Sequence, residues 1–196
     1  MNPQQDAIVI HKEERPAERI RTEYKIVSDD HPLLKQELAE FDFANPPIDP
    51  NQLAADLVDA MLEYGGIGLS ANQVGLPHRV FVMKTTPATI CFNPRIVDES
   101  ADKATIHEGC LSFPGLSIKN VKRSAHIKVR FQKPSGETVT EKYSGLTARV
   151  FLHEYDHMQG ITFFRRASDL TKGIAINKWK KLKKLVEQKR KMGYKI

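Results

Sequence analysis

At 196 residues, with 40% hydrophobic and 28% charged side chains, the chain has the make-up of one soluble globular domain, not of a disordered or membrane-embedded protein. No apolar run approaches the ~20 residues that span a bilayer, and Met1-Asn-Pro-Gln-Gln-Asp6 lacks the apolar core and basic flank of a secretory signal, so a cytoplasmic location is expected. The net charge of +6 is uneven: residues 165–196 carry 12 basic and 2 acidic groups, whereas residues 1–24 carry 4 and 5.

Residues 1–24 are polar, have no clear apolar period, and read as an extension. Ile26-Val27 before Ser28-Asp-Asp-His-Pro32 predicts a short strand ending in a turn. Leu33-Leu34 anchors the segment after that turn, and Phe41 to Pro50 is loop. Asp49-Pro50 then opens a helix, with the acid as cap and proline at the first helical position. Leu53, Leu57, Ala60, Met61 and Tyr64 form its expected buried stripe, and Gly65-Gly66 ends it. The run from Ile67 to Gly75 is punctuated by glycine, which lets backbone come close to a ligand. It lacks the Gly-Lys-Ser/Thr ending of a phosphate loop. Strands are predicted at Val80–Met83 and Ile90–Phe92, with Ile96-Val97 beyond Asn93-Pro94. His126–Phe131 alternates, and Val139–Tyr143 answers it across Pro134-Ser-Gly136 as a hairpin with one buried face. Leu146 to Gln159 contains no Gly or Pro and stops at Gly160, as a helix of about four turns would. A last helix is predicted at roughly Ile174 to Met192. The expected fold class is α+β: antiparallel β-sheets wrapped around a central metal-binding helix, with additional N-terminal and C-terminal helices.

The central helix carries His153-Glu154-Tyr155-Asp156-His157. Residues four apart share a helical face, so both imidazoles reach one metal ion, and Glu154 leans over its open side as a general base. The plain alternative is a solvated helix with two surface histidines. A catalytic metal keeps three protein ligands and one open position. Downstream of the motif the only acids are Asp169 and Glu187, and no histidine follows His157. Glu187 sits in a lysine-rich helix and fits a solvated ion pair better. Cys110, in Glu108-Gly-Cys-Leu-Ser112, is the stronger candidate, in a setting where a thiolate is usable. Cys91, between Ile90 and Phe92, reads as core.

Three segments together resemble peptide deformylases: Gly66-Ile-Gly-Leu-Ser-Ala-Asn-Gln-Val-Gly75, Glu108-Gly-Cys-Leu-Ser112 and His153-Glu-Tyr-Asp-His157. Their order and spacing also match that family, over about Tyr24 to Phe164. The resemblance implies that residues 25–196 form a single deformylase-like catalytic domain, with a basic helix at about 174–192, behind an extension at 1–24 that has no counterpart. It implies one divalent metal ion, typically Fe²⁺ with Zn²⁺, Ni²⁺ or Co²⁺ able to substitute, held by Cys110, His153 and His157. Glu154 would shuttle the proton, and the Gln73 side chain and Leu111 backbone N–H would hold the carbonyl oxygen. Gly66, Ile67, Gly68, Glu108 and Gly109 would bind substrate, the peptide pairing as an added strand. The implied substrate is the formyl group on the initiator methionine of nascent polypeptides. Formate and a free amine are the products, and the enzyme is expected to be a monomer.

Elementary chemistry agrees with those roles. A formyl amide carbon is a poor electrophile, so its hydrolysis needs activated water and a stabilised oxyanion, for which one donor is commonly worth ~3 kcal/mol. Some residues depart from the family pattern. Leu152 stands where many members carry Gln, and Ser117-Ile118 offer no arginine for the peptide backbone. Asp156 reads as structural, with Arg123 as its ion partner. In the tail, Ile176, Trp179, Leu182, Leu185 and Val186 recur at helical spacing and should pack. The lysines around them are either a solvated face or a contact for ribosomal RNA. Shortening the chain after Gly173 is expected to leave peptide deformylation largely intact if the domain stays folded, and to lower co-sedimentation with ribosomes at low salt. The other readings are an HExxH metallopeptidase with a Glu ligand, and a non-catalytic ribosome- or RNA-binding protein using its basic tail.

Overall fold

A computed structural model describes residues 20–194. The expected extension therefore lies mostly outside the described residues, but its last part does not stand apart from the domain. Gln52 Nε2 donates to the Ile20 carbonyl at 2.8 Å, Arg21 pairs with Glu63, and Tyr24 packs on the core. In chain order the elements are α1 (Pro50–Glu63), β1 (Gly68–Ser70), β2 (Val80–Met83), β3 (Thr89–Glu99), β4 (Lys103–Gly109), β5 (Ser117–Ser124), β6 (His126–Gln132), β7 (Thr138–Ser144), α2 (Gly145–Met158) and α3 (Asp169–Lys191). A five-stranded antiparallel sheet runs β1-β2-β3-β6-β7, and β4 and β5 form a second, two-stranded sheet. The architecture is the expected α+β arrangement: α2 packs against β1, β2, β5, β6 and β7.

Local chemistry sets these elements. Asp49 Oδ1 accepts the Gln52 N–H at 2.7 Å and caps α1. Leu53, Leu57, Ala60 and Met61 are buried, but Tyr64 is 39% exposed, because it already lies beyond the last turn as the C-cap. The β6–β7 hairpin buries Ile127, Val129 and Phe131 on one face. These residues, with Phe81 and Phe151 edge-on at 5.1 Å, build the core under α2. Gly160, at φ 65°, ends the helix region where any Cβ would run into the Lys35 and Gln36 backbone at 2.6–2.7 Å.

Two expectations are corrected, and one sheet was missed. Ile26-Val27 is not a strand; the Val27 N–H instead bonds the Gln73 carbonyl at 2.9 Å. The last helix begins at Asp169, not near 174, because Ser168 Oγ accepts the Thr171 N–H and starts it a turn earlier; it ends at Lys191. The sheet of β4 and β5 was not foreseen. A register shift between Ile106 and Glu108 breaks the alternation of β5, and the inward face of β4 carries the charged Glu108 beside Ala104 and Ile106.

Candidate metal centre

The four-residue spacing on α2 brings the His153 and His157 rings to 5.3 Å between centroids. The turn after β4 then sets Cys110 against them, with Sγ 3.3 Å from His157 Nε2. One ligand atom from each of the three residues lies within 4.8 Å of the other two. The alternative downstream acids are elsewhere: Glu187 pairs with Lys191 and Asp169 with Lys172 on the surface of α3.

A buried charge lattice holds the outer side of His153. Its Nδ1 lies 3.0 Å from Glu108 Oε2, which leaves Nε2 for other contacts. Glu108 is also gripped by Arg123 at 2.7 and 2.9 Å and by Arg149 at 2.8 Å. Arg123 continues to Asp156 at 2.7 Å, and Asp156 receives Arg166 as well. Burial opposes ionisation of Glu108, but its hydrogen bonds from Arg123 and His153 hold the carboxyl well below the usual range. Burial likewise disfavours the His153 cation, yet hydrogen bonds to Cys110 and Glu108 raise its pKa to about 10. Burial and the neighbouring His153 push His157 well down, so it is held neutral.

Glu154 behaves differently from these paired acids. It is only 4% exposed, and burial pushes its pKa up to about 7, near the range suited to a proton carrier. It lies directly over Gly68, where an added Cβ would strike Glu154 and Val150. Glycine is needed at that point. Gln73 sits in a capping box: its Oε1 accepts from Ser70 N at 2.9 Å, so its Nε2 points the other way, to Cys110 Sγ at 3.3 Å and Ser112 Oγ at 3.1 Å.

The donor set suits a divalent transition ion, with one thiolate and two imidazoles. The support of His153 by a carboxylate is the outer contact that metal-binding histidines usually have. Among the described residues, Glu154 Oε2 and His157 Nδ1 are buried without a hydrogen-bond partner. Both belong to this cluster.

A cleft of about 460 Å³ opens beside the cluster. Gly66, Ile67, Gly68, Gln73, Glu108, Gly109, Cys110, Leu111, His153 and Glu154 line it, while His157 lies behind, 1% exposed. β1 is an edge of the five-stranded sheet, and its first residue, Gly68, lines the cleft. Arg149, Val150 and Leu146 line the cleft too and were missed. Arg149 and Val150 stand one turn before His153 and Glu154, a spacing that would have found them.

The family profile described as "Polypeptide deformylase" matches residues 23–173. The chain belongs to the polypeptide deformylase family. It is thus an enzyme, a hydrolase that removes the N-formyl group from nascent polypeptides, and its family is metal-dependent. The peptide deformylase of Aquifex aeolicus is 38% identical over 159 residues, covering 78% of this chain and 92% of that protein. The crystal structure of the Thermus thermophilus deformylase superposes with a TM-score of 0.74 at 32% identity, over 79% of this chain and 91% of the other. A plant deformylase structure matches with a TM-score of 0.77 at 31% identity, over 90% and 96%. The profile match stops at residue 173 and leaves most of α3 uncovered. Among the described residues no helix is long and apolar enough to cross a membrane.

Proposed function

We propose that Cys110, His153 and His157 hold one divalent metal ion and that the residues around it share out the work of deformylation. When bound, the ion supplies a Lewis acid that polarises the formyl carbonyl and makes water nucleophilic near neutral pH. Glu154 takes the proton from that water and returns it to the leaving nitrogen; its raised pKa suits both halves of the transfer. Gln73 Nε2 and the Leu111 N–H hold the oxygen on which charge develops. Gly66, Ile67 and Gly68 offer main-chain groups to the peptide as an added strand, and Glu108 and Gly109 form the facing wall. Glu108 also engages His153 Nδ1, which turns Nε2 toward the metal position.

The single observation that carries this reading is the convergence of the thiol and the two imidazoles beside a buried, partnerless Glu154 oxygen. The ion we favour is Fe²⁺, with Zn²⁺, Ni²⁺ or Co²⁺ as substitutes, since an imidazole and thiolate set accepts all of them. Residues 25–196 act as one catalytic domain, a cytoplasmic monomer in this reading, and the lysine face of α3 contacts ribosomal RNA where nascent chains emerge. An anaerobic assay of formate release from a formyl-Met peptide, with metal analysis of the same sample, tests the core of the proposal. Formate release tracking metal content supports it; release that persists after complete metal removal contradicts it.

A further inference from the structure

We propose that Trp179 is a positioning residue: from α3 it holds the loop that carries Cys110 and Leu111 and, through two phenylalanines, the ring of His153. The proposal rests on the reading of those residues as metal ligands and oxyanion donor. Trp179 lies beyond the residues that the family profile matches, which end at 173.

The loop between β4 and β5 has no sheet partner of its own. Two successive tight turns shape it, closed by Phe113 N–H to the Cys110 carbonyl and Leu116 N–H to the Phe113 carbonyl, each at 3.0 Å. Its outermost carbonyl, on Pro114, accepts the Trp179 indole N–H at 2.9 Å. Phe113 packs with its ring 6.0 Å from that of Trp179 and 6.2 Å from that of Phe163. The Phe163 ring in turn lies 5.7 Å from His153. A continuous aromatic path thus joins α3 to His153, and the Phe113 N–H ties the same path to the Cys110 backbone.

The same indole is also linked to the segment around Asp29. The Lys183 ammonium stands 4.7 Å from its ring centroid and pairs with Asp29 at 2.5 Å. Two residues before Asp29, the Val27 N–H bonds the Gln73 carbonyl at 2.9 Å. Trp179 therefore sits between the turn that presents Cys110 and the segment that fixes the Gln73 backbone. Phe113 and Leu116 of this loop are buried in a cluster with Leu34, Ile118, Val121 and Phe163, and Trp179 packs against that cluster from α3. Misplacing a catalytic group by ~1 Å can cost ~100-fold in rate. The C-terminal helix is then not separable from the chemistry, against the expectation from the sequence.

Simple packing and positioning differ in what they move. Packing alone would lower the melting temperature and leave the site unchanged. Full-length protein loaded with Co²⁺ is compared as wild type, Trp179→Ala, Trp179→Phe and Asn177→Ala, the last an exposed control on the same helix. The readouts are the rate of Co²⁺ loss to a chelator, the thiolate-to-cobalt charge-transfer band, kcat and KM, and Tm. Trp179→Ala should lose Co²⁺ about tenfold faster and shift the band, with the fall in activity confined to kcat. Trp179→Phe keeps the ring contact without the Pro114 bond and should fall between it and wild type; Asn177→Ala should match wild type. A folded Trp179→Ala with wild-type metal loss and spectrum overturns the proposal, whatever its Tm. Where Trp179→Ala does not fold, Trp179→Phe decides alone, and unchanged metal loss in that variant overturns it. Cys110→Ala in parallel separates the two claims. If Cys110→Ala keeps the cobalt band, the ligand reading fails; if it loses the band while Trp179→Ala keeps it, only the role of Trp179 falls.

Discussion

α2 and α3 are both amphipathic helices, and they handle charge in opposite ways. α2 buries nine of its 14 residues, among them Arg149, Glu154, Asp156 and His157, whereas none of the 23 residues of α3 is buried. Burying a polar group costs free energy unless it finds a partner. In α2, Arg149 and Asp156 find theirs in Glu108, Arg123 and Arg166. Only Glu154 Oε2 and His157 Nδ1 do not, and these belong to the chemistry. In α3 the ionised groups pair in water, as Lys191 does with Glu187, where ion pairs add little. What sets a catalytic helix apart from a covering one is therefore the burial and pairing of its polar side chains, not its apolar stripe.

The sharpest way to break that contrast is to exchange candidate ligands between the two regions. Cys110→Ala, facing α2, is expected to abolish formate release and most metal binding, and Glu187→Ala, on α3, to change neither. Loss of metal in the Glu187 variant alone would return the site to a peptidase-like ligand set. Next in size, Glu154→Gln should keep its metal and lose about 10³-fold in kcat, since it removes proton transfer without removing a ligand. Near-normal turnover there would assign the proton to another group. Arg123→Met leaves Glu108 and Asp156 short of one cation in a buried lattice, and chemical denaturation should show a loss of about 3 kcal/mol. A loss under ~1 kcal/mol would mean that Arg149 and Arg166 suffice. The smallest effect on catalysis should come from Lys180, Lys184 and Lys189 exchanged together for Gln: kcat stays unchanged, while co-sedimentation with ribosomes falls at low salt. Unchanged co-sedimentation would leave that face a solvated cover.

The parts of this molecule legible in its sequence are those written in short-range spacing. The Asp49-Pro50 cap, the β6–β7 hairpin and the two imidazoles of α2 each follow from residues within one or two turns of one another. The three segments that carried the family resemblance also meet in one cleft, although nothing in their local spacing requires it. Glu108 shows what spacing leaves out. It reads as a lining residue, but both its oxygens are committed to Arg123, Arg149 and His153, which lie 15, 41 and 45 positions away. Such long-range pairing has no period. The β4–β5 sheet was hidden for a related reason, since its register shift breaks the alternation that marks a strand. Trp179 read as one member of an apolar stripe, and its contact with Pro114 across 65 positions gave no local sign.

X-ray absorption at the metal edge tests the central claim most directly, comparing wild type with Cys110→Ala after loading both with the same divalent ion. One sulfur and two imidazole nitrogens in the first shell of wild type, with the sulfur gone from the variant, is the result the account predicts. A first shell without sulfur in wild type, or one that is the same in both proteins, would contradict it.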